Sequence, residues 1–256
     1  MQTSIKQEVL FRDLGQIEYR DAWDLQEKLL QENVQVKTAI RNRQSAMGSP
    51  STGGGWGEAV DIEDVRPSTQ HHLLFVEHPP VYTLGKSGAI ENVLISEEER
   101  AAKGISFYNT NRGGDITFHG KEQLVGYPIL DLEKFYTDIG KYLRNLEEVI
   151  IATMADYGVK GERSPGETGV WLDAAVPGKE RKICAMGIRC SRWITMHGFA
   201  FNVNTDLSYF DYIIPCGIQN KQVTSLQKEL GRALNMNEVK ERVKHHFENV
   251  FDVELV

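Results

Sequence analysis

The chain has 256 residues, of which 41% are hydrophobic and 25% are charged, so it is long enough to bury one sizeable core. Its formal net charge is -7, from 36 acidic and 29 basic residues, which gives no overall field that attracts nucleic acid or anionic membranes. No apolar run is long enough to span a bilayer, and residues 1–15 lack the pattern of a secretory signal. These features predict a cytoplasmic protein with no membrane and no nucleic-acid partner.

The N-terminal part of the chain predicts one helix followed by an insertion. Residues 19–36 place apolar side chains at helical spacing, which is typical of an amphipathic helix. Residues 41–70 lose this periodicity and gather Gly, Ser and Pro. We therefore expect a flexible surface insertion at residues 41–70 within a single domain that spans residues 1–256.

The remaining sequence mixes strands with helices. One helix is predicted at residues 138–157, and another begins at Asn235, where Glu238 completes a helix-start pattern. The strand-like segments are HHLLFVE, VYTLG, RGGDITFHG, LVGYPILDL, TGVWLD, KICAMGIRC and ITMHGFAFNVN. In the last of these, residues 194–201 alternate between two faces. The predicted class is α/β or α+β, with a mixed central sheet flanked by helices.

Cysteine usage predicts free thiols. The three cysteines, Cys184, Cys190 and Cys216, are an odd number in a chain without an export signal, which argues against a disulfide framework. Cys184 and Cys190 lack the short paired spacing and the histidine companions that zinc favours. No metal site is expected.

Three segments place glycine beside reactive or hydrogen-bonding groups. They begin at Arg112, begin at Lys182 and surround Cys216. Glycine allows close approach of the backbone, and backbone amides in such loops can hold a carbonyl oxygen that gains negative charge during acyl transfer. For Gly113 and Gly114, a simple turn is the alternative.

Cys216 lies between Pro215 and Gly217, where proline restricts the backbone and glycine leaves room for a substrate. This neighbourhood suits an exposed nucleophile, although a small buried hydrophobe is the ordinary role of a cysteine. A thiol attacks as the thiolate, and its usual pKa is about 8.5, so an activated cysteine needs a cation nearby. Lys182 is the candidate cation, and a solvated surface lysine is the alternative.

Together these segments resemble the lipoyl(octanoyl) transferases, a family that moves an octanoyl group from acyl carrier protein to a lysine of lipoyl domains. The resemblance covers roughly residues 72–218 and follows the family's order. It is carried by EHPPVYTLG, RGGDITFHG, QLVGYPILDL, TGVWL, KICAMGIR, HGFAFNVN and IIPCGI.

The resemblance implies a catalytic pair and an acyl-binding site. Cys216 is expected to carry the acyl group as a thioester, and Lys182 is expected to lower the pKa of that thiol. The expected substrate-binding residues are Arg112, Gly113, Gly114, Asp115, Ile116, Thr117, Phe118 and His119, then Ala185, Met186 and Gly187, and finally Gly198, Phe199 and Ala200. The implied fold is that of lipoate and biotin protein ligases, with no cofactor, no ATP and no metal.

The same resemblance implies protein partners. The expected donor is octanoyl-acyl carrier protein, and the expected acceptors are lipoyl domains of 2-oxoacid dehydrogenases and the glycine cleavage H protein. Because these partners are commonly acidic, we expect a local positive rim. Its candidates are Lys86, Arg112, Lys121, Arg181, Arg189 and Arg192. The candidates for an apolar acyl slot are Ile116, Phe118, Met186, Phe199 and Phe201.

Three positions carry open questions. His119 either orients the thioester or is a hydrogen-bonded structural group. Lys121 and Glu122 stand where the family usually has Pro-Gly, and Cys184 stands where a small Ala is usual. We expect the loop and the local packing to differ there from the family pattern.

Three other functions compete with acyl transfer. An ATP-dependent lipoate or biotin ligase works through an acyl-adenylate and needs no acyl-accepting cysteine. A cysteine hydrolase normally pairs its thiol with histidine rather than lysine. A non-catalytic acyl-binding module or scaffold would have no use for the pair formed by Cys216 and Lys182.

Overall fold

A computed structural model describes residues 6–47, 68–215 and 222–256. The strands are β1 Gln7–Gln16, β2 His71–Glu77, β3 Val81–Leu84, β4 Ser106–Asn109, β5 Ile116–His119, β6 Gln123–Ile129, β7 Val170–Leu172, β8 Arg181–Ser191, β9 Ile194–Asn202, β10 Gln222–Val223 and β11 Val253–Leu255. The α-helices are α1 Tyr19–Met47, α2 Glu97–Ala102, α3 Ile139–Ala155, α4 Leu226–Leu230 and α5 Met236–Phe251. Short 3-10 helices cover Ile90–Asn92, Leu132–Lys134 and Leu207–Tyr212.

The described strands form two sheets. The larger sheet has eight strands in the order β10, β8, β9, β6, β2, β1 and β11, with β7 paired to β8 outside this path. Pairing is antiparallel from β8 through β9 and β6 to β2, and parallel between β2 and β1, β1 and β11, and β8 and β10. The smaller sheet has the order β4, β3 and β5. The predicted class, a mixed sheet with helices, is confirmed.

Helices cover both faces of the larger sheet. On one face, α3 and α5 pack against a core that includes Phe199 and Phe201 of β9. On the other face, α1 packs against a second core that includes Met196 and Ala200 of the same strand. The predicted alternation along residues 194–201 therefore separates two cores, and all of β9 is buried.

Helix α1 is longer than the sequence pattern predicts. It begins at Tyr19 as expected and continues past Arg41, where the insertion was expected to begin, as far as Met47. Residues 37–47 contain good helix formers and no Gly or Pro, so helix propensity carries the helix beyond its amphipathic part. The rest of the predicted insertion, up to residue 67, lies outside the described residues.

The other predicted helices are confirmed, and polar caps fix where they begin. Asp138 accepts a hydrogen bond from the backbone N–H of Lys141 at the start of α3. Asn235 accepts from the backbone N–H groups of Asn237 and Glu238 at the start of α5. The side chain of Glu238 pairs with Arg242 one turn later.

The turn between β5 and β6 contains Glu122 in a left-handed conformation with φ of 56°. The family pattern usually has Gly here, and glycine adopts this conformation at the lowest cost. Hydrogen bonds compensate in this chain. The Glu122 carbonyl accepts from the Asn204 backbone N–H at 3.1 Å and from Thr205 Oγ1 at 3.2 Å. Its side chain accepts from Asn204 Nδ2, and its own N–H donates to the Glu77 carboxylate.

Gly198 allows β9 to lie close to β6. A Cβ at this position would overlap the carbonyl oxygen of Gly126 and come within 2.7 Å of Pro128 Cδ. Both obstacles belong to rigid parts of β6, so the strands would have to separate to admit a methyl group.

We expect Gly198→Ala to lower the free energy of unfolding by about 1–3 kcal/mol, because it forces apart two central strands. Urea unfolding followed by circular dichroism measures this change. Gly140→Ala, near the start of α3, is the matched control, and its effect should stay within about 1 kcal/mol. Equal stability of Gly198→Ala and the unmodified chain would contradict the close approach.

Candidate active site

A cavity lies between the strands β8 and β9 and the loop that precedes β5. In the β8–β9 ladder, Ala185 lies opposite Ala200 and Gly187 lies opposite Gly198. The two alanines line the cavity with small side chains, whereas the two glycines admit neighbouring backbone. The cavity volume is about 110 Å³, well above the roughly 10–15 Å³ that one water needs. It therefore has room for a ligand of several atoms.

The loop from Arg112 to Gly114 lies directly on β8. The backbone N–H of Gly113 donates to the Ile188 carbonyl at 2.9 Å. A Cβ on Gly187 would come within 2.6 Å of the Gly113 carbonyl oxygen, so this contact requires glycine at position 187. The glycines of this loop and of β8 thus allow two backbones to meet beside the cavity.

The Arg112 side chain holds this loop against the smaller sheet. It is only 7% exposed, and Nη2 donates to Thr83 Oγ1 at 2.9 Å while Nη1 donates to the Gly113 carbonyl at 3.0 Å. Asp115 fixes the other end of the loop, because its carboxylate accepts from Asn92 Nδ2 at 2.7 Å. The positions of the loop backbone are therefore set by buried or half-buried hydrogen bonds.

The structure brings most of the predicted substrate-binding residues around this one cavity. Those that line it are Arg112, Gly114, Asp115, Ile116, Thr117, His119, Ala185, Met186, Gly187, Gly198, Phe199 and Ala200. Gly113 and Phe118 are not among its lining residues. Phe118 instead stacks on Tyr209 with ring centroids 4.7 Å apart, and Phe201 packs in the core beside α3. The binding role of the lining residues stays a prediction.

Lys182 also faces the cavity. It is half-buried on β8 and lies directly opposite Trp171 of β7 in the antiparallel ladder. Its Nζ lies 4.5 Å from the centroid of the Trp171 ring. The sequence predicted Lys182 as a site residue, but it did not predict this aromatic neighbour.

Cys216 lies outside the described residues, so its predicted distance from Lys182 stays a prediction. The residues on either side of the segment 216–221 both line the cavity, namely Pro215 and Gln222. Beyond Gln222 the chain is well anchored. The Thr224 backbone N–H donates to the Lys182 carbonyl at 3.0 Å, and the Thr224 carbonyl accepts from Asn202 Nδ2 at 3.0 Å.

His119 is a neutral and fully hydrogen-bonded group. Gln123 directs its amide N–H groups to Phe118 and Asn202, so its oxygen accepts from His119 Nδ1 at 2.9 Å. His119 Nε2 is then an acceptor for the Thr83 hydroxyl at 3.3 Å. Burial, with a smaller effect of nearby positive groups, holds the pKa of His119 well below its usual value. Of the two predicted roles, the hydrogen bonds favour the structural one.

Several cavity residues were missed from the sequence. They include Tyr19, Tyr127 and His197, which are buried as ordinary core residues are. Tyr127 donates its hydroxyl to His78 Nε2, and His197 donates from Nε2 to Asn111 Oδ1, both at 2.8 Å. Burial lowers the pKa of His197 to about 3 and that of His78 to about 4. These histidines are neutral at physiological pH and unsuited to form an ion pair with a thiolate.

The two described cysteines have environments that disfavour the thiolate. Cys184 is fully buried, and burial raises the pKa of its thiol well above the usual range. Cys190 is half-buried, and burial raises the pKa of its thiol as well. Among the described thiols, neither has the properties of an activated nucleophile.

The prediction that Arg112 belongs to an exposed positive rim is wrong. Arg112 is buried and holds the loop backbone. The prediction failed because a charge pattern in the sequence does not reveal which arginine is buried. Arg181 pairs with Asp173 and Glu229, and Arg189 pairs with Glu27. Arg192 donates to Thr38 Oγ1. Lys86 and Lys121 are exposed as expected.

The described residues contain neither a cluster of metal ligands nor a helix that could span a membrane. Within residues 6–47, 68–215 and 222–256, no group of three or more His, Cys, Asp or Glu side chains is arranged to hold a metal ion. In the same ranges, no helix has both the length and the apolar character needed to cross a bilayer.

Comparison with known proteins places this geometry in a family context. The family model described as Lipoyl protein ligase A/B catalytic domain matches residues 58–248. The octanoyltransferase of Christiangramia forsetii is 55% identical over 252 residues, which cover 98% of this chain and 99% of the relative. The octanoyltransferase of Flavobacterium johnsoniae is 52% identical over 253 residues, which cover 98% of this chain and 100% of the relative.

Solved structures show the same fold at low sequence identity. A bi-partite lipoate protein ligase from Thermoplasma acidophilum has a TM-score of 0.63 and 13% identity, covering 99% of this chain and 86% of its own. Lipoate-protein ligase A bound with ATP has a TM-score of 0.62 and 12% identity, covering 99% of this chain and 88% of its own. The expected lipoate-ligase fold is confirmed.

The buried histidines predict acid sensitivity of the fold. Burial lowers the pKa of His71, His72 and His78 to about 4, whereas an unfolded histidine titrates near 6.5. The unfolded chain therefore binds more protons between these values, and the free energy of unfolding should fall as pH drops from about 6.5 towards 4. Each such histidine contributes up to about 1.4 kcal/mol per pH unit.

Urea unfolding across this pH range tests the effect, with His78→Gln as the diagnostic variant. Glutamine retains a donor and an acceptor but does not titrate, so the pH dependence should become shallower. An identical slope in the variant and the unmodified chain would refute the contribution of His78.

Proposed function

We propose that this chain transfers an octanoyl group from octanoyl-acyl carrier protein to a lysine of lipoyl domains. The chain belongs to the lipoyl protein ligase A/B catalytic family and, within it, to the octanoyltransferases, so it is an acyltransferase. The observation that supports this most directly is the convergence of Lys182, Pro215 and the loop starting at Arg112 on one cavity. Pro215 is covalently bonded to Cys216, the proposed nucleophile.

In the first half-reaction, the Cys216 thiolate attacks the carbonyl carbon of the octanoyl thioester. A bond forms between the Cys216 sulfur and this carbon, and the bond from the carbon to the carrier sulfur breaks. The ammonium of Lys182 favours the Cys216 thiolate by its charge, and the departing carrier thiolate takes a proton from solvent. Lys182 then loses a proton to solvent, because acylation has removed the negative charge that favoured its ammonium form. The products are the carrier thiol, an octanoyl thioester on Cys216 and a neutral Lys182.

In the second half-reaction, neutral Lys182 accepts a proton from the ammonium group of the acceptor lysine. The resulting amine attacks the thioester carbon, the amine loses its second proton to solvent, and the Cys216 thiolate departs. The products are an octanoyl amide on the acceptor and the starting ion pair. One lysine therefore changes its charge twice in each cycle.

Part of the cavity wall is apolar or uncharged, which suits an apolar chain. Met186, Phe199 and Ala200 supply apolar surface, and the histidines nearby are uncharged because they are buried. The small side chains of Ala185 and Ala200, which lie opposite each other on β8 and β9, line the cavity and leave space for an unbranched acyl chain. We propose that the octanoyl group extends from Lys182 along these strands.

The acceptors that we propose are lipoyl domains of 2-oxoacid dehydrogenases and the glycine cleavage H protein. Lys86 and Lys121 are exposed and available to acidic partners, and the Lys86 backbone N–H donates to the Arg112 carbonyl of the cavity loop. The cytoplasmic location and the single-domain organisation stay predictions.

The alternative functions have less support. A ligase function is supported by the broad family model and by solved ligases at 12–13% identity, whereas relatives that are octanoyltransferases reach 55% identity over nearly the full chain. A cysteine hydrolase would need a histidine able to take a proton, and the His119 nitrogens are both engaged. A non-catalytic module leaves Lys182 beside the cavity without a purpose.

Incubation with octanoyl-acyl carrier protein should add one octanoyl group to the chain, which intact-protein mass spectrometry measures. Hydroxylamine, which cleaves thioesters, should remove this group. Cys216→Ser should abolish the adduct. Cys184→Ala is the matched control and should retain it, because Cys184 is fully buried. An adduct that persists in Cys216→Ser, or none in the unmodified chain, would reject this function.

Lys182→Arg should separate the two half-reactions. Arginine keeps the positive charge that favours the thiolate, but it does not give up a proton in proteins. We expect the acyl-enzyme to form and accumulate, while transfer to a lipoyl domain slows by about 10²-fold or more. Single-turnover mass spectrometry measures both steps. Equal loss of acylation and transfer would argue against a proton-transfer role of Lys182.

A further inference from the structure

The ring of Trp171 presents a face to the ammonium group of Lys182. Nζ lies 4.5 Å from the ring centroid, within the roughly 6 Å over which a cation is attracted to an aromatic face. Trp171 is 2% exposed and lines the same cavity as Lys182. The contact is therefore a sheltered one, where water screens the attraction less than at an exposed site.

The backbone holds Trp171 in this position from both sides. Trp171 lies directly opposite Lys182 in the β7–β8 ladder, so the two side chains emerge on the same face about 4.5–5.5 Å apart at Cβ. On its other side, Trp171 exchanges two hydrogen bonds with Glu162, at 2.9 Å and 2.7 Å. The backbone of Trp171 is thus fixed independently of the Lys182 side chain.

A bulge sets which face of β7 carries the ring. The pairing register shifts between Val170 and Trp171, just after Gly169, whose φ is 106°. A side chain at Gly169 would overlap the Cys184 carbonyl oxygen, so only glycine fits this crossing of β8. The Gly169 N–H donates at 3.0 Å to the buried carboxylate of Glu147. These contacts lock the segment that turns Trp171 towards Lys182.

Tryptophan binds a cation through the negative electrostatic potential of its ring face, and it does not attract a neutral amine in this way. We propose that Trp171 is a positioning residue for the transfer reaction, which holds Nζ of Lys182 at the cavity and stabilises its ammonium form. This inference rests on the proposed function, in which the ammonium form of Lys182 serves the first half-reaction and the neutral form serves the second.

The contact affects the two half-reactions in opposite directions. It keeps Lys182 charged while the Cys216 thiolate forms, which helps acylation. It opposes the loss of the lysine proton that the second half-reaction requires. Weakening the contact should therefore slow acylation. It should also move the acid limb of the pH–rate profile for transfer to lower pH.

Fluorinated tryptophan tests the ring face with little change in shape, because fluorine withdraws electron density from the ring. The chain is prepared with mono-, di- and trifluorotryptophan, and the octanoyl-enzyme is mixed with a lipoyl domain in single-turnover reactions across pH. We expect the pH of half-maximal transfer to fall progressively with fluorination, towards a total shift of about 0.4–1.5 pH units.

The same fluorinated series in a Trp171→Phe background is the matched control, since the other three tryptophans are fluorinated there as well. The progressive shift should vanish in this background. Trp171→Leu, which removes the aromatic face, should give a shift at least as large as trifluorotryptophan. A constant half-maximal pH throughout the series would overturn the proposal.

A spectroscopic measurement tests the positioning without any turnover. The ε-methylene protons of Lys182 should be shifted upfield by the ring current of Trp171, and the resonance is assigned by its loss in Lys182→Arg. Trp171→Leu should remove the upfield shift, and its absence in the unmodified chain would reject the contact. Failure of the proposed function is distinct, because it removes the octanoyl adduct while leaving this resonance in place.

Discussion

The close approach of the Arg112–Gly114 loop to Gly187 is the constraint on which the site depends. The loop reaches β8 because residue 187 has no side chain, and its backbone then hydrogen-bonds to Ile188. Arg112, buried beneath the loop, keeps it attached to the smaller sheet through Thr83. This backbone contact and the Arg112 side chain together hold the loop at the edge of the cavity.

The cavity combines uncharged histidines with a lysine. His119 and His197 are uncharged because burial disfavours the imidazolium form, and their nitrogens bind Gln123 and Asn111. Proton exchange with these rings is therefore unfavourable near neutral pH. Among the described groups that line the cavity, Lys182 is therefore the one best suited to move a proton in the proposed acyl transfer.

Much of the fold was predictable because its signals are local. The helical spacing of residues 138–157 and the alternation of residues 194–201 report side-chain faces directly, and the family resemblance drawn from seven short segments is confirmed by the relatives. Three of these segments stand out in the sequence because they place glycine beside reactive or hydrogen-bonding side chains. Their convergence on one cavity depends on strand order, which no single segment contains.

What the sequence could not predict depends on long-range geometry. Arg112 looks like a surface cation in the sequence, but its burial follows from a partner 29 positions away, Thr83. Trp171 meets Lys182 through a bulge that follows Gly169, and bulges leave only weak sequence signals. Helix α1 continues to Met47 because propensity persists after amphipathicity ends. The position of Cys216 relative to Lys182 stays a prediction.

The hydrogen bonds of Glu122 have a consequence for where the molecule can open. Asn204, which binds Glu122, also exchanges two hydrogen bonds with Leu234, just before α5, and Glu77 connects the Glu122 N–H to Lys240 within α5. The β5–β6 turn and the C-terminal helix are thereby coupled into one cooperative unit. Thermal fluctuations that loosen this turn must also disturb the helix, which makes them costly. Slow amide exchange should extend across both elements, so opening motions of lower free energy have to arise outside this unit.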